Sequence, residues 1–506
     1  MEPALSTDGV AKLKQDAREG RIAPEHLVDL LVTSQRQLQT AKLRIEELKK
    51  QVGGSNTAKV VEPYSLRAEE KREEERGKKK KKRNRKPKGR RGRISSQEKI
   101  KQAERTEKVF PEGLAPSDCK LSHTRPVWRL ENGRAVLVAY AIYRGPKNQY
   151  GQIPGVLGRS EFGLEIIIQI AHLVYIVGLS FDKVCALLQF FQHLRLRKSQ
   201  VDALLYRLGR HWEHEFEVLC TLLANSAVVH ADETSWSLNS VWAFLSEKAR
   251  VLLFGVHKDE ETLKAILDPA TFAGIVISDD AAVYANFSKA QKCWAHLLRK
   301  AIKLTLQAPD NVEYRRVADR LLAIYRAACR VQRDGRLNDE GRQRKVAQLD
   351  DEIFELFGPV WAAELPPLEG LDNDYRLLAN EVTRLMLAQE LFTFVTGQPV
   401  AQPNGASQPV AGTNNEVERT LRGPAGARDT GRTNKTLLGA RRQTILTSVL
   451  ESLRVYLTTF TLTSVVAEIN RWVDKGQSCF TKLLRKLKLR TPDKSVLDQV
   501  LAKPSG

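Results

Sequence analysis

Between residues 24 and 52 apolar side chains recur every seventh position. Leu31, Leu38, Ile45 and Val52 fill one seam, and Leu27, Ser34, Ala41 and Leu48 the other. The spacing predicts a coiled coil of about four heptads within an N-terminal helical segment, residues 1–52. A long amphipathic helix packed on its own chain gives the same pattern. Apolar positions then thin out, and Lys, Arg and Glu dominate 53–110, which predicts a disordered basic linker. In 111–158, Asn132-Gly133 separates two β-rich runs, the signature of a hairpin, so a small β unit is expected. Residues 159–222 show helical periodicity broken at Gly178. Ser180 is placed to cap "SFDKVCALLQFF" and Ser199 to cap "SQVDALLYRLGRHW". Helix, turn and capped helix predict a helix-turn-helix-like unit, although an ordinary bundle pairs helices in the same way.

From residue 226 the period changes. "SAVVHAD", "SVWAFLSE" and "RVLLFGVHK" read as strands, "DEETLKAILDP" as a capped helix, and "AGIVISDD" as a fourth strand. "KCWAH" reads as a fifth strand running into a helix. The order β-β-β-α-β-α-β predicts a mixed α/β sheet that starts with an antiparallel meander, the order of ribonuclease-H-like domains. Its first part spans 223–300. A charged helical insertion and a loop rich in Gly, Pro and Gln occupy 301–410. Final helices of the core follow at 411–460, and basic C-terminal helices at 461–506.

Charge narrows the class of partner. The 506 residues carry a net charge of +21, and 78–93 hold twelve Lys/Arg and no acid. Subtracting those twelve leaves +9, so the folded part is itself basic and a polyanion is expected as partner. Arg195, Arg197, Lys198 and Arg207 in the helical region are available to phosphates or bases. No run approaches the ~20 apolar residues of a membrane span, and the N-terminus lacks the apolar core of a secretion signal. Six scattered cysteines without a CxxC pair fit a reducing cytoplasm. Cys119 and His123 are too few for a zinc site.

Against this positive background, two strands run into acids. "VVHAD" ends on Asp232, followed by Glu233, and "IVISD" ends on Asp279, followed by Asp280. In a ribonuclease-H-like sheet the first and fourth strands are neighbours, so Asp232 and Asp279 would meet. A third acid would come from "NNEVERTLR", where Glu418 and Glu416 compete. Clustered carboxylates repel unless cations sit between them, and hard oxygen ligands select Mg2+ or Mn2+. Two such ions ~3.5–4 Å apart suit in-line phosphoryl displacement. Each acid also has an ordinary reading, as a turn cap, a helix N-cap or a surface partner of Arg419 or Arg422.

"HADETSW", "ISDDAAVYANF", "KCWAHLLRK" and "NNEVERTLR…ARDTGR" together resemble, in order, the blocks of bacterial insertion-sequence transposases of the IS-sixty-six (IS66) type, over about residues 160–460. The resemblance implies an Asp-Asp-Glu transposase with a ribonuclease-H-like fold and a helical insertion before the final Glu. It implies that Asp232, Asp279 and Glu418 are the catalytic, metal-binding acids. Asp279 matches the acid five residues before a Tyr, here Tyr284, and Glu418 the one directly before an Arg, here Arg419. Cys293 and His296 match a Cys-x-x-His element that supports the site. Arg419, Arg422 and Arg428 are placed to hold DNA. The resemblance further implies DNA cleavage and strand transfer on terminal inverted repeats and target DNA, in the cytoplasm on the nucleoid. Protomers would pair through the coiled coil, and accessory proteins of the same element are candidate partners. The alternative is a DNA-binding remnant or regulator with an inactive transposase domain. The chain departs from the family in lacking a cysteine-rich block ahead of the helical region. It also carries Thr413-Asn414-Asn415 for Asp-Asn-Asn, and Asp279-Asp280 for Asp-Gly.

Overall fold

The computed structural model describes residues 94–237, 239–362, 370–401 and 407–501. The heptads of 1–52 and the basic run of 78–93 lie outside them. Helix α1 (Ser96–Lys101) and strand β1 (Arg105–Val109) come first. Ser95 Oγ accepts the Glu98 N–H at 3.1 Å while the Glu98 carboxylate accepts the Ser95 N–H at 2.9 Å, a capping box. Both elements lie inside the stretch 53–110 expected to be disordered. They correct that boundary: β1 is a charged edge strand, stabilised by parallel pairing with β3 rather than by apolar content. Strands β2 (Lys120–Glu131) and β3 (Arg134–Arg144) form the expected hairpin. Its turn residues Asn132 and Gly133 have φ of 48° and 78°, the left-handed pair that a twisted two-residue hairpin needs.

Four helices follow: α2 (Leu164–Tyr175), α3 (Phe181–Gln192), α4 (Lys198–His211) and α5 (Glu213–Ala224). Ser180 caps α3 as expected. Ser199 does not cap α4, which starts one residue earlier; the Gln200 side chain accepts the Arg197 N–H at 3.0 Å instead.

The central sheet is built from β4 (Val228–Ser235), β5 (Ser240–Ser246), β6 (Arg250–Val256), β7 (Ile275–Ser278) and β8 (Ala290–Lys292), with helix α6 (Glu260–Ile266) between β6 and β7. The order is β6-β5-β4-β7-β8. The first three strands are antiparallel, and β7 and β8 run parallel to β4. The expected fifth strand "KCWAH" is shorter. It ends at Lys292, and Cys293 precedes helix α7 (Trp294–Gln307), which carries Trp294 and His296. The helix start is held from far along the chain: the Trp294 indole N–H donates to the Leu391 carbonyl at 2.7 Å, and the ring is fully buried.

The insertion is helical: α8 (Val312–Arg333), α9 (Asp339–Ala362), α10 (Gly370–Leu387) and α11 (Thr393–Thr396), then a small ribbon of β9 (Val400–Ala401) and β10 (Ser407–Gln408). Helices α12 (Asn415–Asp429), α13 (Leu437–Tyr456), α14 (Leu462–Lys475), α15 (Cys479–Lys486) and α16 (Val496–Leu501) complete the chain. Strand β5 is buried on both faces. Trp242 and Phe244 join the core with α2–α5 and α13–α16, while Val241, Ala243 and Leu245 pack with Val417 and Leu421 of α12. The pleat thus places α12 against the sheet face opposite the main core.

Strand β6 is the outer strand, and α13 lies along it. The hydroxyls of Thr444, Ser448 and Ser452 accept the N–H groups of Phe254, Leu252 and Arg250 at 3.0, 2.9 and 2.9 Å. Ser448 and Ser452 donate back to the Leu252 and Arg250 carbonyls. Four residues of helix rise ~6 Å and two residues of strand ~6.8 Å, so the two ladders stay in step. Replacing Ser448 by Ala leaves a buried N–H unpartnered. It is expected to cost about 1–3 kcal/mol, read as a shift of the urea midpoint without a change in slope.

Candidate active site

Alternation along β4 separates the two adjacent acids. Glu233 points toward the main core. There Lys258 Nζ lies 2.6 Å from Oε1, and the Tyr284 hydroxyl donates to Oε2 at 2.5 Å. Its charge is therefore matched, and Tyr284, itself buried, stacks edge-on to Trp242. Burial, then the Glu233 carboxylate, hold the Tyr284 phenol well above its ordinary pKa. Val228, His230 and Asp232 face the other way, toward α7 and α12.

Asp232 is not at the end of its strand, as the sequence pattern implied. Pairing with β5 carries β4 on to Ser235. The pairing with β7, however, runs only from Val228↔Ile275 to His230↔Ile277. Continued for two residues, that register sets Asp232 beside Asp279, where β7 has stopped. Glu418 comes from the first turn of α12. The Asp232 carboxyl is pushed up to about 7, first by burial and then by the charges of Glu233, Asp279 and Glu418. Three acids remote in sequence therefore act on one another within one electrostatic neighbourhood.

They are not all drawn to single-ion distances. Among the described residues the group of three ligand atoms lying within 4.8 Å of one another is Cys293, His296 and Glu418. Glu418 Oε1 is 2.6 Å from Arg299 Nη2 and 3.6 Å from His296 Nε2, both on α7. A cation already balances Glu418, a place that a metal ion would otherwise share. Burial, then Arg299, lower the His296 pKa, so its imidazole is neutral at pH 7; its Nδ1 is buried without a partner.

The rival acids point elsewhere. Glu416 pairs with Arg250 of β6 at 2.5 Å. Asp280 pairs with Arg384 of the insertion. Asp279 stays at the turn, its Oδ1 accepting the Ala281 N–H at 3.1 Å, while the buried Lys292 ammonium donates to its carbonyl at 3.2 Å. Of the arginines after Glu418, Arg419 and Arg422 are exposed. Arg428 instead ties α12 to the end of β4, donating to Ser235 Oγ at 2.5 Å and Ser235 O at 3.2 Å. Arg195, Arg197 and Lys198 are exposed at the α3–α4 turn, with Lys198 2.7 Å from Asp182.

Asn414 was not singled out as a site residue. Fully buried, it donates to the Ala231 carbonyl at 2.8 Å, meets His230 Nδ1 at 3.1 Å, and its N–H reaches Cys293 Sγ at 3.1 Å. It thereby joins β4, the start of α7 and the start of α12, so Cys293 and Asn414 are positioning residues. The only signal in sequence was an Asn immediately ahead of the helix that bears Glu418. Asn414→Ala is expected to cost about 2 kcal/mol, measured by chemical unfolding.

A five-stranded mixed sheet with Asp232 on β4 and Asp279 at the end of the neighbouring β7, and a helical insertion before Glu418, fits the α/β architecture of a transposase domain. Residues 159–392 match the family model described as Transposase IS66 family, which supports a transposase of that kind. The match takes in Asp232, Asp279, Cys293 and His296 and ends before Glu418. No curated protein matches the chain. The family match suggests transposition as the process and implies DNA as the partner. No helix among the described residues is long and apolar enough to cross a membrane.

Proposed function

We propose that this chain cleaves DNA at the ends of an insertion sequence and joins them to target DNA, in a metal-dependent reaction on a ribonuclease-H-like core. The observation that carries this reading is the shared electrostatic neighbourhood of Asp232, Asp279 and Glu418, in which burial first, and then the neighbouring carboxylates, push the Asp232 carboxyl up to about 7. Oxygen donors that repel one another fit a hard divalent cation, Mg2+ or Mn2+. Two ions share ligands over a wider span than one, which suits acids that are not all at single-ion distance. Bound ions would activate a water or 3′-hydroxyl and offset charge on the leaving oxygen.

The protein's own groups prepare for this. Lys258 and Tyr284 retain the Glu233 charge on the far face of the sheet, so Asp232 alone faces α12. Arg299, about half exposed, can leave Glu418 for a DNA phosphate. Arg419 and Arg422 flank Glu418 on the outer side of α12 and would steady the phosphodiester. Arg195, Arg197 and Lys198 would contact the DNA backbone, and the heptads of 1–52 would pair protomers so that two ends are held together.

The test is a nicking assay with Mg2+ or Mn2+ on duplexes carrying the inverted repeats that flank the gene. Nicks at the repeat ends, lost in EDTA, are expected. Sequence-selective footprinting without any nicking would point instead to a regulator with an inactive domain.

A further inference from the structure

The last turn of α3 carries two adjacent aromatic side chains that the fold does not use. Phe190 is 77% exposed and Phe191 66% exposed, with ring centroids 4.9 Å apart in an edge-on arrangement. The inner face of the same helix, Val184 and Leu188, is fully buried, so α3 is anchored without them. The chain then reverses through His193, at φ 58°. Along the short extended segment that follows, Leu194 turns inward while Arg195 and Arg197 face solvent. From Lys183 to Gln200 there are four Lys/Arg and no acid.

An exposed apolar pair with a cationic border fits one occupant better than others. A protein partner would have to supply apolar side chains for the rings and separate carboxylates for Arg195 and Arg197. DNA supplies phosphates for the border and flat base faces for the rings. An intact duplex keeps its bases stacked on each other, so the rings can be used only where bases are unpaired or splayed.

We propose that Phe190 and Phe191 form a stacking platform for unpaired bases of DNA, with Arg195 and Arg197 holding the adjacent backbone. The idea rests on the transposase reading and adds to it a place where distorted DNA at an element's end is recognised.

The experiment uses the full chain and two fluorescent probes, a 30-base-pair duplex and the same duplex with a central three-nucleotide bubble, followed by anisotropy. The wild-type protein is expected to prefer the bubble by about tenfold, since one stacked base contributes about 1–3 kcal/mol. In Phe190→Ala/Phe191→Ala that preference should fall to near one, and in Phe190→Tyr/Phe191→Tyr it should return. Because both rings are exposed, the Ala variant is expected to fold, which circular dichroism checks. Equal binding of both probes by the wild type overturns the platform alone. A bubble preference that survives the Ala variant does the same, as does a concentration-dependent dimer that the Ala variant abolishes. Failure to bind either probe would instead undercut the DNA-binding reading itself.

Discussion

Asp232→Asn, Asp279→Asn and Glu418→Gln are each expected to lower strand cleavage by about a thousandfold or more, while affinity for the same DNA should change by no more than about threefold. The size follows from the role: each side chain would be one of three anchors for the ions that stabilise charge developing at phosphorus, and such stabilisation is the largest single contribution in phosphoryl displacement. Binding should be spared because, on the proposed reading, it would depend on cations spread over other surfaces, among them Arg195, Arg197, Arg419 and Arg422. Glu416→Gln serves as the control. Its carboxylate is committed to Arg250, so cleavage should stay within severalfold of wild type. Single-turnover cleavage and anisotropy on one duplex check all four variants. Residual cleavage in Asp232→Asn above about a tenth of wild type would remove the acid cluster as the seat of the chemistry.

Stability should respond to pH in the opposite sense from an ordinary paired carboxylate. The folded pKa of Asp232, about 7, lies above its ordinary value of 3.8. Below pH ~4 the group is protonated in both the folded and the unfolded chain, and it costs nothing. As pH rises toward 7 the unfolded chain releases the proton first, so folding loses free energy, with the full penalty reached above the folded pKa. A gap of roughly three pKa units corresponds to at most about 4 kcal/mol. Partial exposure makes about 2 kcal/mol the expected effect. In EDTA, therefore, Asp232→Asn should unfold a few degrees higher than wild type at pH 8, and the difference should shrink as pH falls and vanish below pH ~4. Mn2+ should raise the wild-type midpoint at pH 8 and leave that of Asp232→Asn nearly unchanged. Scanning calorimetry across pH, with and without metal, measures both, and a variant less stable than wild type at pH 8 in EDTA would refute the assigned repulsion.

What could be read in sequence depended on whether a residue's role was local. Asn132-Gly133 specified its turn because few residues adopt the backbone that a tight hairpin needs. The β4–β7 neighbourhood followed from strand order, and with it the placing of Asp232 near the turn that carries Asp279. Period-two alternation could have separated Asp232 from Glu233, but only with knowledge of which face carries the core. Strand β1 was hidden because "RTEKV" carries three charges in five residues and depends on a partner about thirty residues away. Thr444, Ser448 and Ser452 looked like polar residues in an apolar helix. Their spacing of four has meaning only beside a strand whose outward groups recur every two residues. The burial of Asn414 and the attachment of Arg428 to Ser235 likewise depend on where α12 docks, which no local pattern encodes.

The hydroxyl rail of α13 has a consequence for life at high local concentration. A mixed sheet ordinarily offers its outermost strand as a template on which another copy can polymerise. Here one margin is occupied by side-chain oxygens. At the other, the Lys292 N–H is taken by the Glu390 carbonyl at 2.8 Å, and the Gln291 amide grips the Leu391 carbonyl at 2.9 Å. Copies crowded together on neighbouring stretches of DNA thus meet a sheet with both margins closed, and fibrous misassembly through this sheet is blocked by the fold itself.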